Sequence, residues 1–450
     1  MENSTKLASA VNEISDRLEN ELDSGLDLLK SLIGFQSVNP ALTDSGFEKA
    51  ELPAQEFLEE WLYSRGWDVE LWEPDSEMLK DNYKGEPGFV EDRKFDGRPN
   101  LVARLPYSHN QRTLLLHGHI DVVPADESGW EVNPFEGAIK DNRIYGRGTV
   151  DMKGGLAAML FASSAIADSD INPLGAVEFA TVSDEEAGGM GTLALAHRLK
   201  NNDIPYSGSI LGEPTNLMVA PVSRGILWGK IKIEGRSGHI EVNQPHWEEG
   251  GAVDAFRKGL KVVRAIDDLN REWSKRPDKL HSLLPRPCMI NIAEFNAGHS
   301  PTSFADSSEI TFNVQYLPQE QDEKGLGTKV KAEIEEHVAR AAKLDPWLEE
   351  HPPEIDWIID ADSYELPRDH EFFKKTKEGL ESSDLEFELG GVETHTDAGR
   401  IGYLAGIPTI NLGPGEMRFA HQVNEHLAVE NFLKAAKIYA ALILAHLGMD

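Results

Sequence analysis

The sequence predicts an α/β protein: a mixed, largely parallel sheet with helices on its faces, interrupted by an inserted ferredoxin-like α+β unit. Three observations predict it. Apolar strand-like runs alternate with helix-periodic segments from residue 67 to 214. From Gly225 to residue 360 the order changes to β-α-β-β-α-β. Beyond residue 361 the earlier kind of pattern returns. Residues 1–222 and 362–450 therefore read as one discontinuous domain, and residues 223–361 as an insertion.

The elements follow in order. Residues 6–33 carry apolar positions at helical spacing and stop before the turn signal Ser37-Val38-Asn39-Pro40. Glu48 to Ser64 reads as a second helix. Residues 67–73, 100–106 and 112–124 read as strands, the last running into a polar loop. Residues 154–168, rich in alanine and other small residues, read as a buried helix. Strand 175–186 ends in acids, helix 190–200 follows, and strand 208–214 closes this part. In the insertion, 226–235, 288–295, 309–318 and 354–360 are strands, and 250–274 and 321–343 are helices. A helix near residues 372–380, a strand at 407–415 and a long terminal helix complete the chain.

Composition narrows the function classes. The chain is 40% apolar and 27% charged, the balance of a soluble globular protein. No run of about 18 apolar residues suggests a membrane span. The acidic, helix-patterned N-terminal segment lacks the features of a signal peptide, so a cytoplasmic protein is expected. A net charge of −33 argues against nucleic acid or anionic membranes as partners, because like charges repel. It also suits a protein kept soluble where salt screens self-repulsion. The lone Cys288 excludes an internal disulfide and any multi-cysteine metal site.

Five short segments carry acids and histidines of interest. In His117-Gly-His119-Ile-Asp121, strand alternation points His119 and Asp121 the same way, so Asp121 can hold the second ring nitrogen of His119. His117, on an apolar strand, reads as a satisfied core group. Asp151 stands in a glycine-flanked turn into a helix, where a carboxylate can bridge two ions or simply cap the helix. Ser183-Asp-Glu185-Glu186 gathers three acids whose repulsion metal ions would relieve. Glu213 follows an apolar strand, and His421 follows a Gly-Pro-Gly turn. Each segment alone is as readily a turn, a cap or a surface loop. Together, His119, Asp151, Glu186, Glu213 and His421 form an N/O donor set that zinc accepts, with cobalt or manganese as substitutes. With Asp151 shared, two divalent ions would have three protein ligands each, and Glu185 would be spare to act as a base. Four of these groups, His119, Glu185, Glu186 and Glu213, end strands, where ligands of parallel sheets bind.

The ordered motifs HGHIDVVP, YGRGTVDMKGG, SDEEAGG, LGEPT, GRSGH and AHQVNE resemble the M20 family of metallopeptidases and deacylases, in its acetylornithine deacetylase and succinyl-diaminopimelate desuccinylase branch. The resemblance spans nearly the whole chain. It implies that His119, Asp151 and Glu213 hold one zinc and Asp151, Glu186 and His421 the other. It implies that Asp121 orients His119, that Glu185 activates water, and that a cis peptide adjoins Asp151. It implies further that the insertion is a lid through which the chain forms a homodimer, and that His239 swings over the site from a partner subunit. The sequence departs from the branch at Gln315, where an arginine is usual, and at His246-Trp247 in the lid. Arg224 and Arg400 remain as candidates to bind a substrate carboxylate. The implied activity is hydrolysis of a small N-acyl amino acid, acetylornithine-like, or of a short peptide by a dipeptidase or aminoacylase. A metal-stabilised binding protein without catalysis is the competing class, and the presence of every ligand and of the base argues against it.

Overall fold

The computed structural model describes residues 2–43, 46–47, 49–107, 112–126, 128–383 and 385–449. A six-stranded sheet forms the centre, in the order Asp68–Trp72, Asn100–Pro106, Ala176–Val182, Thr113–His119, Tyr206–Leu211, Thr409–Asn411. The last four strands run parallel, and Asn100–Pro106 is antiparallel to both of its neighbours. Thr113–His119 and Ala176–Val182 are buried along their whole length, as strands covered on both faces must be.

Helix Lys153–Ala167 explains its own composition. Nearly every residue in it is buried, so it is apolar all round rather than on one stripe. It packs on helices Leu22–Gly34 and Val429–Leu447, where Phe161 stacks on Phe432 with centroids 6.2 Å apart. Its small residues allow this close approach. The single helix expected over 6–33 is divided at Glu21 into Glu2–Asn20 and Leu22–Gly34. The second expected helix spans Leu52–Tyr63, and Glu48 lies outside the described residues. Helix Ser76–Tyr83 has no counterpart among the expected elements; Asp75 caps it by accepting from the backbone N–H groups of Glu77 and Met78.

Residues 225–361 form a second, four-stranded antiparallel sheet in the order Ile290–Ala297, Ser307–Tyr316, Gly225–Glu234, Glu354–Ala361. With helices Ala255–Trp273 and Thr328–Ala342 this is the ferredoxin-like order. Alternation sorts the faces. Leu227, Ile231, Phe312 and Val314 join the helices in one apolar core, while Ile226, Trp228, Asn313 and Gln315 face the opposite way, toward the first sheet. A bulge between Trp357 and Ile359 changes the register of the edge strand. It leaves Trp357 against the helical core and turns Ile359 and Ala361 toward the first sheet, beside Trp228 and Ile226. Among the described residues no helix is long and apolar enough to cross a membrane.

Candidate metal centre

The gap between the two sheets encloses a cavity of about 330 Å³, at the small end of the range for ligand sites. Its floor is the carboxyl end of the first sheet. His119 is the last residue of its strand, in register with Val182 of the next. Three residues beyond Val182 stands Glu185. The turn between them puts Asp184 at φ +72°, and the buried Arg98 binds Asp184 at 3.1 Å and Glu51 at 2.5 Å to hold it there. Glu213 lies just past strand Tyr206–Leu211.

Asp151 sits between two histidines. Its Oδ1 is 3.1 Å from His119 Nε2 and its Oδ2 is 3.4 Å from His421 Nε2. His421 Nε2 is also 3.1 Å from Glu186 Oε2. Around His119 Nε2, Glu185 stands at 3.8 Å and Glu213 at 3.9 Å. The peptide bond from Asp151 to Met152 is cis. Glu425 braces this turn: its Oε1 accepts from the N–H of Val150 at 2.9 Å and of Asp151 at 3.3 Å, and Arg147 pairs with it at 2.5 Å. Strand His426–Ala428, paired with Arg143–Tyr145, brings Glu425 there.

The residues fit a pair of divalent cations. Glu186 Oε1 and Glu213 Oε1 are buried with no hydrogen-bond partner, an arrangement that is costly unless a cation faces them. Burial pushes the carboxyl of Glu185 well above its ordinary range; His119 pulls against this, and Asp397, Glu213 and Glu186 add to it. Glu186 and Glu213 are raised by burial and by Asp151. Burial opposes ionisation of Asp151 too, but hydrogen bonds from His119 and His421 hold it low. Crowded carboxylates interleaved with two imidazoles are the donor chemistry of zinc and similar ions.

His119, Asp151, Glu185, Glu186, Glu213 and His421 thus come together. Three other expected residues do not behave as anticipated. Asp121 lies past the end of its strand, so alternation no longer sets its direction. Its backbone oxygen, not its carboxylate, meets His119 Nδ1, at 2.9 Å against 3.6 Å. The carboxylate instead accepts from the N–H groups of Glu185 at 3.2 Å and Glu186 at 3.1 Å, and from Asn39 at 2.7 Å. Arg224 donates to the backbone oxygens of Pro287 and Arg286, and Arg400 pairs with buried Asp362. Neither lines the cavity. His239 is exposed and outside it. His117 is buried as expected, but neither ring nitrogen has a hydrogen bond; burial lowers its pKa to about 4 and keeps it neutral. His395 and Asp397, which no sequence signal singled out, join Glu185 in a second cluster of possible ligand atoms.

Residues 115–445 match the peptidase family M20/M25/M40. The chain belongs to this family. The M20 chain is 27% identical to an N-formyl-4-amino-5-aminomethyl-2-methylpyrimidine deformylase of Halalkalibacterium halodurans, over 97% of each chain. It is also 27% identical to an acetylornithine deacetylase of Vibrio parahaemolyticus, over 91% of this chain and 95% of the other. Its fold is similar to that of a di-peptidase from Saccharomyces cerevisiae, with a TM-score of 0.72 at 17% identity over 98% of this chain and 99% of that one. It is also similar to an M20 family metallo-carboxypeptidase from Sulfolobus solfataricus, with a TM-score of 0.66 at 18% identity over 94% and 99%. This M20 chain is a hydrolase acting on amide bonds.

Proposed function

We propose that this M20 hydrolase removes a small acyl group from a linear amide, using two divalent ions, zinc foremost, with cobalt or manganese as substitutes. His119, Asp151 and Glu213 would hold one ion, and Asp151, Glu186 and His421 the other. The observation that carries this reading is Asp151, which offers one carboxylate oxygen to each histidine. When bound, such ions polarise a carbonyl and acidify water. Glu185 takes a proton from the attacking water on a carboxylate oxygen and returns it to the departing amine nitrogen. A C–O bond forms, the C–N bond breaks, and carboxylate and free amine result. Asp121 aims the pair Glu185-Glu186 through their backbone N–H groups.

The amine half is best supported as one without a carboxylate. Among the described residues no arginine or lysine lines the cavity. At position 315 the glutamine amide donates to Asn313 at 2.8 Å, a neutral pair. An N-acylated aminomethyl heteroaromatic, the kind of compound named for the deformylase relatives, meets this condition. The second reading is an N-acyl amino acid, favoured by the acetylornithine deacetylase similarity; a dipeptide comes third. Residues 223–361 would serve as lid and homodimer contact, in a cytoplasmic enzyme, with His239 reaching the partner's site. Its exposure and its absence from the lining of its own cavity support that placement. Mixing inactive His239→Ala and Glu185→Ala enzymes should then restore part of the turnover.

A panel assay tests the proposal. N-formyl-4-amino-5-aminomethyl-2-methylpyrimidine, N-acetylornithine and alanylalanine are supplied to enzyme loaded with zinc, cobalt or manganese, and amine release is measured. Release from an N-acyl compound above the dipeptide is the expected result. Release from none of them with any metal would overturn it.

A further inference from the structure

Outside the acids and His421, the cavity wall carries hydrogen-bonding groups with no partner in the protein. Trp228, Thr394 and His395 line this space, and Trp228 Nε1, Thr394 Oγ1 and His395 Nδ1 are buried with no hydrogen bond. Buried donors are costly to leave unmade, and such groups in a cavity point to the ligand that completes them. They come from both sides of the gap. Trp228 is on the sheet of the insertion, opposite Ile359 in the strand register. Thr394 and His395 lie on the loop that precedes residues Arg400–Leu404.

His395 has a defined setting. Its Nε2 is 3.8 Å from Asp397 Oδ1. Asp397 is buried and also receives the hydroxyl of Thr192, so the carboxylate that steers the imidazole is itself tethered. Ligand atoms of Glu185, His395 and Asp397 all lie within 4.8 Å of one another. His395 is therefore beside the base.

We infer that Trp228, Thr394 and His395 form the subsite for the amine half of the substrate, and that the subsite takes a small, flat, uncharged group bearing hydrogen-bond acceptors, such as the ring nitrogens of a heteroaromatic. The inference rests on the deacylase reading above and extends it to named contacts. Trp228 with Ile226 and Ile359 supplies an apolar wall for a ring. The donors supply the polar contacts that fix its orientation. Among the described residues no arginine or lysine lines this space to pair with a carboxylate.

The test pairs ring isosteres with donor deletions in the zinc-loaded enzyme. N-formylbenzylamine, N-formyl-(pyridin-3-ylmethyl)amine and N-formyl-(pyrimidin-5-ylmethyl)amine differ only by exchange of ring CH for N. Their kcat/KM values are compared in wild type, Trp228→Phe, Thr394→Val and His395→Phe, with zinc content and thermal unfolding recorded for each. Binding of the three free amines to wild type and variants is measured by calorimetry, independently of turnover. The wild type should prefer the pyrimidine to the benzyl compound by about tenfold or more, the value of one well-made hydrogen bond. The preference should appear mainly in KM, and at least one deletion should bring the ratio near unity. Equal use of all three rings by the wild type, or a ratio unmoved in all three variants, overturns the subsite. So does faster turnover of N-acetylornithine than of every ring compound. Hydrolysis of no amide overturns the deacylase reading instead, and the calorimetric preference then decides the subsite alone.

Discussion

Alanine at Gly155 would strike the site from behind. Gly155 lies in the first turn of helix Lys153–Ala167, four residues after Asp151. An added Cβ would stand 2.3 Å from the backbone oxygen of Gly212, the residue before Glu213. Neither atom is the tip of a flexible side chain, so the helix start and the strand end must separate by roughly 1 Å. Helix propensity alone favours alanine over glycine by about 1 kcal/mol. Overpacking costs about 1–3 kcal/mol, so stability should fall by up to about 2 kcal/mol. The larger effect is on geometry, because Asp151 and Glu213 move apart, and a 1 Å misplacement can cost about 10²-fold in rate. Chelator competition for zinc, kcat at saturating zinc and thermal unfolding are the assays. Gly34→Ala is the control, with nothing within 4 Å of its Cβ. Wild-type zinc affinity and unfolding temperature in Gly155→Ala would refute the reasoning.

Three more predictions concern residues that support the site or the core. Arg400→Met leaves Asp362 buried without its partner, and breaking such a pair costs about 3–5 kcal/mol; denaturant unfolding should show that loss, whereas unchanged stability with a raised KM for N-acetylornithine would return Arg400 to substrate binding. Glu425→Gln removes the charge that buried Arg147 faces, and zinc affinity should fall with stability; full zinc affinity would show that the turn holding Asp151 does not depend on it. Burial, with Lys375 and Arg112, depresses the pKa of His446 from 6.5 to about 3. A depressed histidine contributes stability that is present above the unfolded value and is lost as pH falls toward the folded value, so this contribution shrinks by about 2 kcal/mol between pH 6.5 and 5. His446→Asn should flatten the urea-unfolding profile over that window by this amount, and an identical slope would contradict it.

Residue type and position along the strands make the ligands legible in the sequence itself. His119, Glu185, Glu186 and Glu213 follow apolar strand runs whose neighbours must be parallel, and parallel strands deliver their ends to one edge. What pairs with what is not legible there. Asp362 and Arg400 are 38 residues apart and Arg147 and Glu425 are 278 apart, and no periodicity encodes such meetings. Asp121 shows a second limit. Alternation holds only while the strand lasts, and the strand ends at His119. The bulge at 357–359 shows a third: a period of two assigns faces correctly until one extra residue inverts them. His395 gives no signal because a lone histidine in a polar loop acquires meaning only from Asp397 and Glu185 around it.

The separation of metal holding from proton transfer is the central claim, and Glu185→Gln tests it most directly. Zinc per chain and kcat are measured on the same preparation. About two zinc ions should be retained, with a loss in kcat on the order of 10²–10⁴-fold. Wild-type kcat in this variant, or loss of its zinc, would contradict it.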